Sequence, residues 1–122
     1  MKRNPVKMLN RIAQVIYDKK GFNILALDLK GHCSIADYLL IAEGNVDRHV
    51  ISIARAIVDD FKEQPIHVEG LANGDWIVLD FSDVIVHLFQ PGLREKYSLE
   101  KLWNESRIVD LNIEVSAPRV VF

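Results

Sequence analysis

Cysteine is nearly absent: Cys33 stands alone in 122 residues, which excludes an internal disulfide and fits a reducing compartment. No apolar run approaches the roughly eighteen residues that a bilayer-spanning helix requires. The first residues, MKRNPVKML, are basic but lack the continuous apolar stretch of a secretory signal. Their amphipathic pattern flows into the first predicted strand, so they read as domain and the expected compartment is the cytoplasm. No internal repeat or low-complexity segment occurs. Basic residues become scarce after the start. Residues 1–20 hold six against one acidic residue, whereas the remainder holds nine against sixteen acidic. The body of the chain thus lacks the basic face with which nucleic-acid binders collect phosphates. A basic protein is the better electrostatic match for it.

What is present is an ordinary globular balance, 49% hydrophobic and 26% charged, in a length that suits one domain. Asn4-Pro5 predicts a helix N-cap and first turn. Met8, Leu9, Ile12, Ala13, Val15 and Ile16 then mark an apolar stripe that ends at Lys19-Lys20-Gly21. Asn23–Leu29 and Ile35–Ala42 read as strands, and Gly44-Asn45 as a turn capping a second helix. There Val50, Ile53, Ala54, Ile57, Val58 and Phe61 recur at helical spacing. Ile66–Glu69 alternates as a strand, and Trp76–Phe81 with Val84–Phe89 predicts a hairpin around Ser82-Asp83. SLEKLW, from Ser98, predicts a last helix. Leu111, Ile113 and Val115 alternate, so the tail offers an edge strand. The fold class is α+β: a single domain with a mixed five-stranded sheet and helices packed on it. The strand–helix–strand passage through residues 35–69 predicts at least one parallel pair.

The usual chemical constellations are missing. His32 and Cys33 are neighbours that a strand would point to opposite faces, and His49, His67 and His87 are isolated, so no zinc set is expected. No serine sits in a G-x-S-x-G elbow. IAEGNVDRHV resembles a strand-to-helix phosphate turn, but it has one glycine, no Walker spacing and Glu43 beside it. It reads instead as a tight turn capped by Asn45.

The stretch GDWIVLDFSDVIVHLFQ remains. In strand geometry Ile77, Leu79 and Phe81 share one face with Val84, Val86 and Leu88, which must be core. Trp76, Asp80 and His87 stand on the other face with Ile85 and Phe89. A large aromatic flanked by acids suits a docking surface for a basic partner. The competing reading makes Asp75, Asp80 and Asp83 a metal-dependent catalytic cluster, which requires the three to converge.

GDWIVLDFSDVIVHLF followed by LREKYSLEKLW resembles the signature of the ribosomal silencing factor (Iojap-like) family, and DLKGHCSIADYLLIAEGNVDRHVISIARAIV resembles its other shared block. The likeness spans about Ile24 to Trp103. The chain departs from the family's pattern at Glu43, Val46 and Lys96, and it runs past the usual stop after Trp103. The resemblance implies a domain at residues 1–103 with a tail at 104–122, and a nucleotidyltransferase-like topology without catalytic residues. It implies no enzymatic activity, no cofactor and no metal. It implies docking on the fourteenth protein of the large ribosomal subunit, with little direct RNA contact and no membrane. Small-subunit joining would be blocked and translation repressed. A homodimer is implied for the free protein. The partner-binding residues expected are Glu69, Asp75, Trp76, Asp80, Asp83, His87 and, on the last helical segment, Tyr97.

Overall fold

Asn4 starts the first helix as its spacing predicts. Its side chain accepts a hydrogen bond from the Lys7 N–H at 3.1 Å, and Pro5 follows at the first helical position. The computed structural model describes residues 4–31, 36–61, 65, 67–92 and 107–114. Its elements are α1 (Pro5–Asp18), β1 (Phe22–Asp28), β2 (Tyr38–Glu43), α2 (Asp47–Asp60), β3 (His67–Glu69), β4 (Trp76–Asp80), β5 (Val84–Phe89) and β6 (Arg107–Ile108). The predicted last helix, Tyr97, His32 and Cys33 lie outside the described residues.

The α+β class and the mixed sheet are as expected, and the sheet order is β3-β4-β5-β2-β1-β6. The parallel pair is β2 with β5, not the two strands joined by α2. Those two, β2 and β3, run in the same direction but have β4 and β5 between them. A helical crossover reveals relative direction, not adjacency. A sixth strand of two residues joins the five expected. It lies against β1 at Leu27 and Asp28, upstream of the alternation at Leu111 and Ile113. That later segment packs on the helical core instead. There the Asn112 N–H donates to Asn10 Oδ1 and the Glu114 N–H to Gln14 Oε1, so two amides of α1 satisfy its backbone.

Both helices pack on one face of the sheet. Leu9, Ile12, Ala13 and Ile16 of α1 and Val50, Ile53, Ala54 and Ile57 of α2 are fully buried there, against Leu40, Ala42, Ile77, Leu79, Val84, Val86 and Leu88. Helix α1 ends with Lys20 in the left-handed region (φ 68°), the Gly21 N–H reaching the Ile16 carbonyl and the Lys20 N–H that of Tyr17. This is a Schellman closure. Gly21 is required beside it for room, since a Cβ would fall onto Ile16. At the start of α2 the cap differs from the expectation. Val46 is the N-cap, with no side-chain hydrogen bond, and the Asn45 N–H is taken by His49 Nδ1 at 2.8 Å.

The opposite face is the one that the alternation assigns to Trp76, Asp80 and His87. It carries a second apolar cluster, Leu27, Leu29, Leu39, Ile41 and Phe89, with Leu25, Trp76 and Ile85 packed on it. Phe89 is 0% exposed.

Candidate functional site

Strand pairing assembles the site row by row. Trp76 of β4 lies opposite Phe89 of β5, and Phe89 opposite Glu43 of β2. Two residues along, on the same face, Val78, His87 and Ile41 form the next row. Trp76 therefore meets Phe89 directly, with ring centroids 5.1 Å apart and planes inclined by 29°, and His87 diagonally at 5.8 Å. The indole Nε1–H donates to His87 Nδ1 at 2.8 Å. This bond requires an unprotonated Nδ1, so the neutral imidazole carries its proton on Nε2. Burial pushes the His87 pKa down to about 4, because a charged ring would lose its hydration there. Trp76 is thus half-buried and fixed at two points, by stacking and by its polar tip.

The acids lie around this aromatic row without converging. Asp75 precedes β4 and is exposed. Gln90 binds it twice, by Nε2–H to Oδ1 at 3.1 Å and by backbone N–H to its carbonyl at 3.1 Å. Asp80 ends β4, and its Oδ1 accepts the Ser82 N–H at 2.8 Å, which shapes the hairpin turn where Ser82 takes φ 76°. Asp83 follows in the same turn, its carbonyl accepting the N–H groups of Asp37 and Tyr38. Glu69 on β3 faces His67, with Oε1 and Nε2 2.8 Å apart. Asp75 and Asp80 are five strand residues apart, roughly 16 Å, too far to share an ion. No cluster of three or more metal-ligating side chains occurs among the described residues.

Sequence reading missed three contributors. Phe89 was placed on the outer side with His87, yet it is the buried slab under Trp76. Glu43 is 6% exposed, shares the row with Phe89 and accepts a hydrogen bond from Asn23 Nδ2 at 2.8 Å. Its only signal was a carboxylate in the apolar run IAEG. Gly70 is the third. Its φ is +85°, and a Cβ there would collide with the Trp76 carbonyl oxygen. The tight approach places β4 where Trp76 enters the sheet. Gly70→Ala combines a left-handed backbone with a backbone clash, and it should cost about 2 kcal/mol or more. A shift of the urea midpoint to lower concentration, with unchanged slope, is the expected reading.

The family model described as "Ribosomal silencing factor during starvation" matches residues 2–120. The ribosomal silencing factor of Bacillus subtilis is 41% identical over 112 residues, which cover 89% of this chain and 95% of that protein. A crystal structure of a Chromobacterium violaceum protein is similar at a TM-score of 0.80 and 26% identity, covering 84% of this chain and 88% of that one. A more distant Mus musculus relative, named for mitochondrial assembly of the ribosomal large subunit, is 24% identical over 115 residues, covering 89% of this chain and 50% of that protein. On the span of the family match and the identity to the Bacillus protein together, this chain belongs to the ribosomal silencing factor family.

Proposed function

We propose that the chain silences ribosomes by docking, through the outer sheet face around Trp76, on the basic fourteenth protein of the large subunit. A domain of this size, some tens of ångströms across, then occupies the space the small subunit needs. Joining is blocked sterically and translation falls. The reading is of a binding protein without catalytic activity, cofactor or membrane contact. It acts in the cytoplasm, makes little direct contact with RNA and is a homodimer when free. The mouse relative's name, which refers to large-subunit assembly, supports the choice of subunit.

The observation that carries the proposal is the state of Trp76. An aromatic held by Phe89 and His87 yet half-buried is already ordered, so little conformational entropy is lost when a partner covers it. Exposed carboxylates at Asp75 and Glu69, with Asp80 and Asp83 at the turn, supply charge that a basic surface complements. Tyr97, beyond the described residues, belongs to the same proposed surface. The catalytic alternative gains nothing from the separation of Asp75 and Asp80.

Light scattering of purified subunits is the direct test. Saturating protein should suppress joining, and unimpeded joining would end the proposal. Trp76→Ala should weaken binding to the large subunit by about 2 kcal/mol, roughly 30-fold. A near-zero loss would move the interface elsewhere.

A further inference from the structure

A groove of about 480 Å³ runs along the outward side of α2, lined by Arg48, Ile51, Ser52, Arg55, Ala56 and Asp59, with Lys19 contributed from the end of α1. The α2 residues recur at helical spacing and form one stripe opposite the core positions. Lys19 is brought alongside by His49. The ring accepts the Asn45 N–H on Nδ1, and its Nε2–H donates to the Lys19 carbonyl at 2.7 Å. The Schellman closure at Lys20 and Gly21 turns the chain away directly afterwards.

The groove gathers cations that the fold, among the described residues, leaves unpaired. Arg11 is paired with Asp60 through two contacts of 2.7 Å, and Lys30 lies 3.9 Å from Asp28. By contrast, the exposed side chains of Lys19, Arg48 and Arg55 have no ion pair among the described residues, even though Asp59 stands four residues beyond Arg55. Three cations and a single carboxylate, Asp59, line one open concavity in a protein of net charge −2. The basic stretch is also short. Arg48 to Arg55 spans about 10 Å of helix, and α2 begins at Asp47 and ends at Asp59-Asp60. An extended polyanion would run into those carboxylates at either end. A compact one, held between Arg48 and Arg55 beside Lys19, meets only Asp59.

We infer that this groove binds a free nucleotide bearing a di- or triphosphate. Arg48, Arg55 and Lys19 hold the phosphates, with guanidinium forks suited to paired phosphate oxygens. Ile51 offers an apolar surface to one face of the base, and Ser52 hydrogen-bonds a sugar or phosphate oxygen. The volume lies in the usual range for small-ligand sites and exceeds what a bare phosphate chain fills. The groove sits on the helical layer, so the inference stands apart from the docking proposal, and its test uses no ribosomes.

The experiment is a two-dimensional amide NMR titration of the full chain with GTP, ADP, inorganic triphosphate and a ten-nucleotide oligoribonucleotide. The nucleotides should shift the amides of Lys19, Arg48, Ser52 and Arg55 in a saturable way. Arg48→Ala with Arg55→Ala should weaken that binding at least tenfold while leaving the unfolding midpoint in place, since both residues are exposed. Arg55→Gln is the milder variant should the double one lose structure. Lys7→Ala, a control at the far end of α1, should change nothing. Absence of shifts at millimolar nucleotide overturns the inference. So does tighter binding of the oligoribonucleotide, which would make the groove an RNA contact. Equal binding of inorganic triphosphate also overturns it, by showing a phosphate site with no use for the base.

Discussion

Phe89→Ala is expected to lower the unfolding free energy by about 3–5 kcal/mol, the range for removing a buried phenyl ring, and to weaken large-subunit docking along with it. The ring is fully buried among Leu27, Leu29, Leu39 and Ile41 and stacks under Trp76. Its loss leaves a cavity and removes the stacking support that holds the indole. Phe81→Ala provides the comparison. Phe81 is 1% exposed in the helical-side core and packs against Phe61 at 5.6 Å between centroids. The two truncations should cost similar stability and lower the melting temperature by roughly 10–20 °C. Measured well below both melting temperatures, however, only Phe89→Ala should raise the Kd for large subunits. Equal effects on Kd would mean that Trp76 does not need its slab, and the docking argument would lose its preorganised anchor.

The same residues show where sequence reading works. Alternation in WIVLDF and VIVHLF separates Ile77, Leu79, Phe81, Val84, Val86 and Leu88 from Trp76, Asp80 and His87, and all six apolar residues are buried on the helical side. Period-two reading depends only on local geometry, so it survives folding. Phe89 shows its limit. Alternation assigns the side of a sheet, but whether that side is wet depends on the rows contributed by β1 and β2, which are distant in sequence. A similar limit hid the β2–β5 pairing, because direction is local information and adjacency is not. The groove cations were invisible for a related reason. Lys19 and Arg48 are far apart along the chain, and a histidine bridge to a backbone carbonyl brings them together. No spacing pattern encodes such a bridge. Asn45 does not cap because the chain enters α2 one residue later at Val46, and it is the Asn45 backbone N–H, not its side chain, that engages the helix through His49.

The second large effect is a loss of stability in mild acid. The folded-state pKa of His87 is lowered to about 4 by burial, against an ordinary value of 6.5. As pH falls below 6.5 the unfolded chain takes up this proton, whereas the native protein does not until about pH 4. The unfolded state binds more protons throughout that window, so stability declines as pH declines. The contribution is fully present above pH 6.5, is lost progressively toward pH 4, and levels off below it. A difference of this size corresponds to about 3 kcal/mol. The Trp76 indole works in the same direction, since its N–H needs the Nδ1 lone pair that a proton would occupy. His87→Asn removes the titration while placing an amide oxygen near the former Nδ1, so the indole N–H keeps an acceptor. Urea unfolding between pH 7 and 4.5 should show a steeper acid loss in the native chain than in this variant. Parallel pH profiles would mean that His87 is protonated in the folded protein without penalty, and that the Trp76–His87 bond does not hold the anchor in place.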